Sequence, residues 1–299
     1  MASRTLTPKH SFRWSRYEGY LFIAPLFVGI FAFILIPILV SLAMSFTKWD
    51  FVTSPEFVGF QNYIQMVTKD RLFWKVLGNT LRYVLYSVPL SAVIPLFLAV
   101  LLNQKVPGIT FYRVAFFLPL VTSVVAIGIL WRWMYDSDFG LFNYILHAFG
   151  IQGPHWLSDP NLAMPAVVFA TVWQGLGYNI IIYLAGLQGI PDHLYEAATI
   201  DGAGDLQKFL RITIPMLTPQ IFFVLVISFI GGFQSFGLIY VMTQGGPVNS
   251  TNVYVYYLWQ TAFSSAKMGY ASALSWVLTI IMVSATYLQI RLSRKWVFY

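Results

Sequence analysis

The sequence contains no cysteine, and only 10% of its 299 residues are charged. The first absence excludes disulfides, thiolate nucleophiles and cysteine-ligated metal. The second excludes an ordinary water-soluble globule, which carries about 25% charged residues to cover its surface. No lysine follows a glycine, so the phosphate-cradling pattern G-x-x-x-x-G-K-[ST] is missing and ATP hydrolysis is not expected on this chain. The four histidines, His10, His147, His155 and His193, lack H-E-x-x-H spacing and fall in or beside expected loops. No metal site and no catalytic residue is expected. Basic runs interleaved with aromatics are also lacking, so the formal charge of +7 does not point to nucleic acid. Lys and Arg gather in the cytoplasmic segments of membrane proteins, which accounts for the charge more simply.

What is present is apolar: 58% of residues, 18% aromatic. They come in runs long enough to cross a bilayer core, which takes about 20 helical residues. The pattern predicts an all-α membrane protein with about six transmembrane helices, near Tyr20–Phe46, Asn79–Leu102, Val114–Trp133, Ala163–Leu187, Pro219–Met242 and Ala271–Ile290. The first run is too long and lacks the cleavage site of a signal peptide. Its Pro25 and Pro37 are tolerable in a membrane helix. The expected organisation is an N-terminal segment over 1–19, one membrane domain over 20–290 and a tail over 291–299.

Six spans put both termini on one side. That side holds Arg4, Lys9, Arg13, Arg16, Lys105, Arg113, Lys208, Arg211, Arg291, Arg294 and Lys295, against Lys48, Lys69, Arg71, Lys75, Arg132 and Lys267 opposite. The bias places both termini in the cytoplasm of a multi-pass cell-membrane protein.

The segment between the fourth and fifth spans, about 187–218, departs from the pattern by being polar yet patterned. Pro191 suits a helix start, His193–Ile200 are good helix formers, and Asp201-Gly202 ends the run. Asp205–Ile212 predicts a second short helix with Leu206, Phe209 and Leu210 on one face, stopped by Pro215. From the residues alone this is either an amphipathic connector lying on lipid headgroups or a compact knob for another protein. The small Ala197, Ala198 and Ala203 allow close approach, with Glu196 and Asp201 nearby.

The run Glu196-Ala197-Ala198, then Gly202, then Ile212 and Ile214-Pro215, resembles the cytoplasmic signature of permease subunits of binding-protein-dependent ABC importers. Ile214 stands where that family usually has leucine. Asp201-Gly202-Ala203, Phe209, Leu187-Gln188, Ile190-Pro191 and Thr243-Gln244-Gly245-Gly246-Pro247 are similar to its carbohydrate, maltose-type branch. The resemblance extends from the first span to Gly269–Ala273. It implies a cytoplasmic coupling helix in the 196–215 loop, with Glu196, Ala197, Ala198, Asp201, Gly202, Ala203, Phe209, Ile212 and Pro215 engaging a separate ATPase. It further implies a second homologous permease, two ATPase subunits holding ATP and Mg, an extracellular or periplasmic sugar-binding protein, and a bacterial or archaeal membrane. No cofactor is implied on this chain. Relatives in that branch carry oligosaccharides, uronate polymers or glycerol phosphodiesters.

The substrate pathway is expected among intramembrane polar residues: Trp173, Gln174, Tyr178 and Asn179 in the fourth span, Gln234 and Ser235 in the fifth. Sugars are held by hydrogen-bonding amides and aromatic faces, and polar groups in lipid face an interior. The plainer role for the same residues is helix packing, helped by Gly175, Gly177, Gly231 and Gly232. The absence of an intramembrane cation cluster favours a neutral sugar. Two other readings compete. A secondary transporter would use membrane-buried acids, and a membrane-embedded enzyme would need a convergent catalytic cluster; neither feature is visible.

Overall fold

The computed structural model describes residues 15–104 and 107–297. Arg4, Lys9, His10, Arg13 and Lys105 lie outside them. Among the described residues the regular structure is helical, apart from a two-residue antiparallel strand pair, Thr47–Lys48 with Glu56–Phe57. Four helices are long and apolar enough to span unbroken: Gly19–Ser45, Arg71–Leu102, Ala163–Gln188 and Met268–Ser293. Two bent helix pairs bring the number to six when each is counted as one span: Ile109–Val121 with Val124–Met134 at 104°, and Asp205–Met216 with Thr218–Phe233 at 65°.

The second span starts at Arg71 rather than near Asn79, because Asp70 caps it: its carboxylate accepts the Phe73 amide at 3.0 Å. At 32 residues it is about 48 Å long, well beyond a ~30 Å hydrocarbon core. Its protruding turns hold the connector before the sixth span. Lys75 Nζ donates to the Val248 carbonyl at 2.6 Å, and Asn79 Nδ2 to the Asn249 and Asn252 carbonyls at 2.7 and 3.0 Å. Thr80 Oγ1 accepts the Tyr254 amide at 2.9 Å. Tyr257 and Tyr270 both donate to Asp70 Oδ2, at 2.5 and 2.6 Å. Burial works against the Asp70 charge, yet these hydroxyls and the Phe73 amide hold its carboxyl below the ordinary value of 3.8.

The third run does not cross straight as expected over Val114–Trp133. It breaks at Thr122-Ser123, where the Ser123 hydroxyl accepts the Val125 amide at 3.3 Å and starts a new helix. The fifth run, expected over Pro219–Met242, breaks after Phe233 and resumes as Gly237–Met242. The half-helices beyond the two breaks run side by side in the same direction. A β-carbon at Gly237 would sit 2.8 Å from Val124, and one at Gly128 2.7 Å from Val241.

Two five-residue π turns, Phe31–Leu35 and Phe209–Thr213, share one design. Each is followed by isoleucine and then proline, and the isoleucine amide reaches back five residues, Ile36 to Phe31 and Ile214 to Phe209. The wider turn makes room for a ring that would collide with the carbonyl four residues earlier. So Pro215 does not stop its helix as expected; the helix runs on to Met216 and bends at Leu217.

The second and fourth spans form the centre, with Tyr83, Val167, Ala170, Ile180 and Tyr183 fully buried. The first span is the opposite case. Phe22 and Phe33 are over 80% exposed, and the whole helix is apolar on every face. Such a surface is stable only against lipid or another apolar protein face.

Candidate functional site

Three spans, with Leu120 of the helix Ile109–Val121 as an apolar side, wall a cavity of about 360 Å³, within the range of small-ligand sites. Each contributes residues spaced as neighbours on one helical face: Tyr83, Ser87 and Ser91 from the second, Thr171, Gln174, Gly175, Tyr178 and Asn179 from the fourth, and Ile227, Ser228, Gly231, Gly232 and, just past the helix end, Ser235 from the fifth. No charged side chain lines it.

The cavity has layers. At the end away from the 189–217 loop, Tyr83 OH donates to Thr171 Oγ1 at 2.9 Å and accepts from Ser235 Oγ at 2.9 Å, tying the three spans together. At the end nearer the loop, Asn179 Nδ2 donates to the Ser91 carbonyl at 2.8 Å. Between them Ser87 is buried, and its hydroxyl has no hydrogen-bond partner.

Of the residues expected on the pathway, Gln174, Tyr178, Asn179 and Ser235 meet in this cavity. Trp173 does not line it; its ring packs edge-on against Trp131 at 5.4 Å. Gln234 and Ser235 stand in the break after the helix ending at Phe233, not within a helix, and Gln234 faces outward, exposed. Sequence reasoning missed Tyr83, Ser87, Ser91, Thr171 and Ser228. Their signal was there: a polar residue every third or fourth position along one face, in three separate apolar runs.

The 187–218 segment forms a separate knob. Asp192–Ile200 is its first helix. Gly202, at φ +78°, ends it in a left-handed turn, with the Ala203 amide bonded to the Ala198 carbonyl at 2.9 Å and the Gly202 amide to Thr199 at 3.0 Å. That doubly bonded cap favours glycine, whose lack of a β-carbon makes positive φ cheap. Tyr195 OH meets Thr213 Oγ1 at 2.9 Å, and Phe209 packs on Phe97 of the second span at 5.9 Å. Ile212 packs against the core.

The expected shared face of Leu206, Phe209 and Leu210 is split: Phe209 turns inward while Leu206 and Leu210 stay exposed. The π turn from Phe209 breaks the helical phase between them. Glu196, Ala197, Asp201 and Gly202 are exposed on the knob, Ala198 and Ala203 half-buried and Pro215 partly buried in the helix behind. Ile200 is 87% exposed at its tip, an apolar side chain that sequence reasoning did not single out. At the neck, a β-carbon on Gly186 would come 2.7 Å from Leu217 and Gln220, so the fourth and fifth spans touch closely where the knob begins.

Among the described residues no three His, Cys, Asp or Glu side chains are placed to hold a metal.

Residues 71–297 match the family described as binding-protein-dependent transport system inner membrane component. The chain is 40% identical over 293 residues to the probable ABC transporter permease protein YesP of Bacillus subtilis (strain 168), covering 97% of this chain and 94% of that protein. It is 37% identical over 290 residues to the lactose transport system permease protein LacF of Rhizobium radiobacter, covering 95% and 96%. With the arabinooligosaccharides transport system permease protein AraP of Bacillus subtilis (strain 168) it shares 36% over 277 residues, covering 92% and 88%. Among solved structures, a bacterial ABC transporter involved in the import of the acidic polysaccharide alginate superposes with a TM-score of 0.83 at 22% identity, covering 94% of this chain and 98% of that one. A bacterial alginate ABC transporter in complex with alginate pentasaccharide-bound periplasmic protein gives 0.82 at 22% identity, covering 95% and 97%. At that identity the likeness is one of fold.

Proposed function

The chain belongs to the binding-protein-dependent transport system inner membrane components, a family of membrane-embedded transport subunits, and from that premise we propose that it forms half of an ATP-driven pathway for a sugar or oligosaccharide. One observation carries the reading: an uncharged cavity, dense in hydroxyls and amides, sits between three membrane spans. Burying so many polar groups in an apolar bundle is costly without partners, and a polyhydroxylated solute supplies them. Relatives named for lactose and for arabinooligosaccharides support the class of cargo.

The other half of the pathway is a second, homologous permease, and the fully apolar first span faces that subunit or lipid. The knob is the coupling element. Glu196, Ile200 and the Gly202 turn dock on one of two ATPase subunits, where ATP and Mg reside, and a sugar-binding protein delivers cargo from outside. ATP-driven closure of the ATPase pair moves the knobs, and the spans switch between inward-open and outward-open packings.

Gln174→Ala is expected to weaken uptake by up to about tenfold, the loss of one hydrogen bond to a neutral sugar, at about 0.5–1.5 kcal/mol. Basal ATPase activity and assembly stay near wild type. Gln234→Ala, outside the cavity, should leave uptake within about twofold. Equal loss in both variants, or failure of Gln174→Ala to assemble, would assign Gln174 to helix packing.

The orientation has its own check. Single cysteines at Asp205 and Asp159, in a chain that has none, should react with a membrane-impermeant thiol reagent from opposite sides, Asp159→Cys from outside. Labelling of Asp205→Cys from outside would invert the topology.

A further inference from the structure

The glycines of the fourth and fifth spans divide into two kinds. A β-carbon at Gly177 would lie 2.6 Å from the Phe116 carbonyl, and one at Gly232 3.0 Å from the Val84 side chain. Those two are required by close helix packing. At Gly175 and Gly231 a β-carbon would meet nothing within 4 Å, and both positions line the cavity. Neither has a positive φ. Glycine in a helix interior loses more chain entropy than any other residue and adds no side-chain contact. Packing within this chain and backbone geometry therefore leave both positions unexplained.

A second observation comes from the same level. Ser87, 4% exposed, lines the cavity with a hydroxyl that lacks any partner. A buried polar group without a partner marks a place where something else completes it. Bare backbone on two walls and an unpaired hydroxyl on the third describe a slot sized for a ring that carries hydroxyls.

We propose that Gly175 and Gly231 set the bore of the cavity and so act as its size-selecting residues for a sugar-sized, uncharged cargo that passes between them. This rests on the cavity being the pathway, and it adds which positions limit the width of what is carried. Leu120 closes the remaining side as an apolar wall. A β-carbon added at either glycine meets nothing within 4 Å, so a side chain grown from it narrows the bore and should exclude wide solutes before narrow ones.

The test needs no knowledge of the natural cargo. Ser228, one helical turn from Gly231 and nearer the knob, becomes the reporter as Ser228→Cys in the otherwise cysteine-free chain. The probes, on the assembled importer in proteoliposomes during ATP turnover, are methyl methanethiosulfonate and its glucosyl counterpart. With both glycines native, both reagents should react. In Gly175→Leu or Gly231→Leu, the methyl reagent should keep its rate within about threefold while the glucosyl reagent slows about tenfold or more, the size of discrimination that one or two methylenes give in a shaped pocket. Equal rates for the two reagents in every variant, or equal loss of both in an assembled complex, would overturn the assignment of the bore. Gly175→Ala and Gly231→Ala cover misassembly. They should assemble normally, and failure of these small variants would mean that the glycines serve packing after all. A reporter that neither reagent reaches with native glycines would instead overturn the pathway itself.

Discussion

Glu196→Lys combined with Gly202→Pro is expected to abolish uptake, by about 100-fold or more, in a chain that still inserts all its spans. Gly202 sits at φ +78° and donates its amide to Thr199. Proline has no amide hydrogen and holds φ near −65°, so the turn after the first knob helix must be rebuilt and Asp201, Ala203 and Ile200 re-aimed. The charge reversal adds repulsion at a contact which, if buried, costs several kcal/mol; about 3 kcal/mol already corresponds to more than 100-fold in affinity. Neither change touches an apolar run, so insertion and pairing with a second permease should persist. The check is uptake alongside co-purification of the ATPase subunits, with Ile200→Glu as a milder variant at the same face. Wild-type uptake with normal ATPase association in the double variant would remove the knob from the coupling machinery.

The largest effect on folding is expected at Gly269, in the first turn of the sixth span. A β-carbon there would collide with the Thr47 carbonyl and press on that of Met44 at 3.3 Å. Neither backbone is free to retreat. Asn62 Nδ2 is bonded to the carbonyls of Ser45 and Thr47 at 2.8 and 2.9 Å, and the Met268 amide to the Trp49 carbonyl at 2.9 Å. Forcing a methyl into such a contact costs about 1–3 kcal/mol, and each severed hydrogen bond adds about 1 kcal/mol. Gly269→Ala should therefore lower the yield of monodisperse protein severalfold and its melting temperature in detergent by several degrees. Gly78→Ala is the control, since nothing lies within 4 Å of the added methyl. Indistinguishable melting of the two variants would show that the first and sixth spans are not locked at Thr47.

Positions of the spans were legible because a bilayer demands long apolar runs and the sequence supplies them. The breaks were not, because Thr122-Ser123 and Gln234-Ser235 are brief polar interruptions that average away over a span-length window. Ser123 did carry a readable sign, an N-cap residue inside an apolar run, and it marks the new helix. For the cavity, Gln174, Tyr178 and Asn179 stood out because amides and a phenol are conspicuous in lipid. Serines are not: Ser87, Ser91 and Ser228 each read as an ordinary small residue, and only the meeting of three spans gives them a common purpose. Trp173 shows the converse, since an aromatic ring in a span serves packing as readily as stacking. In the knob, helix start, glycine turn and second helix all follow from local chemistry. The outward aim of Ile200 depends on which face the rest of the protein covers.

The π turn at Phe209–Thr213 lies between the first knob helix and the helix Thr218–Phe233 of the fifth span. It carries one residue more than an α-helical turn, and each residue of an α-helix advances the chain by about 100° and 1.5 Å. The angle at which the knob leaves the membrane is thus stored as a count of residues rather than as particular side chains. Exchanging one side chain for another within that stretch leaves the heading intact, whereas losing a single residue would swing the knob by more than a quarter of a circle. Side chains there serve local contacts; length sets the heading.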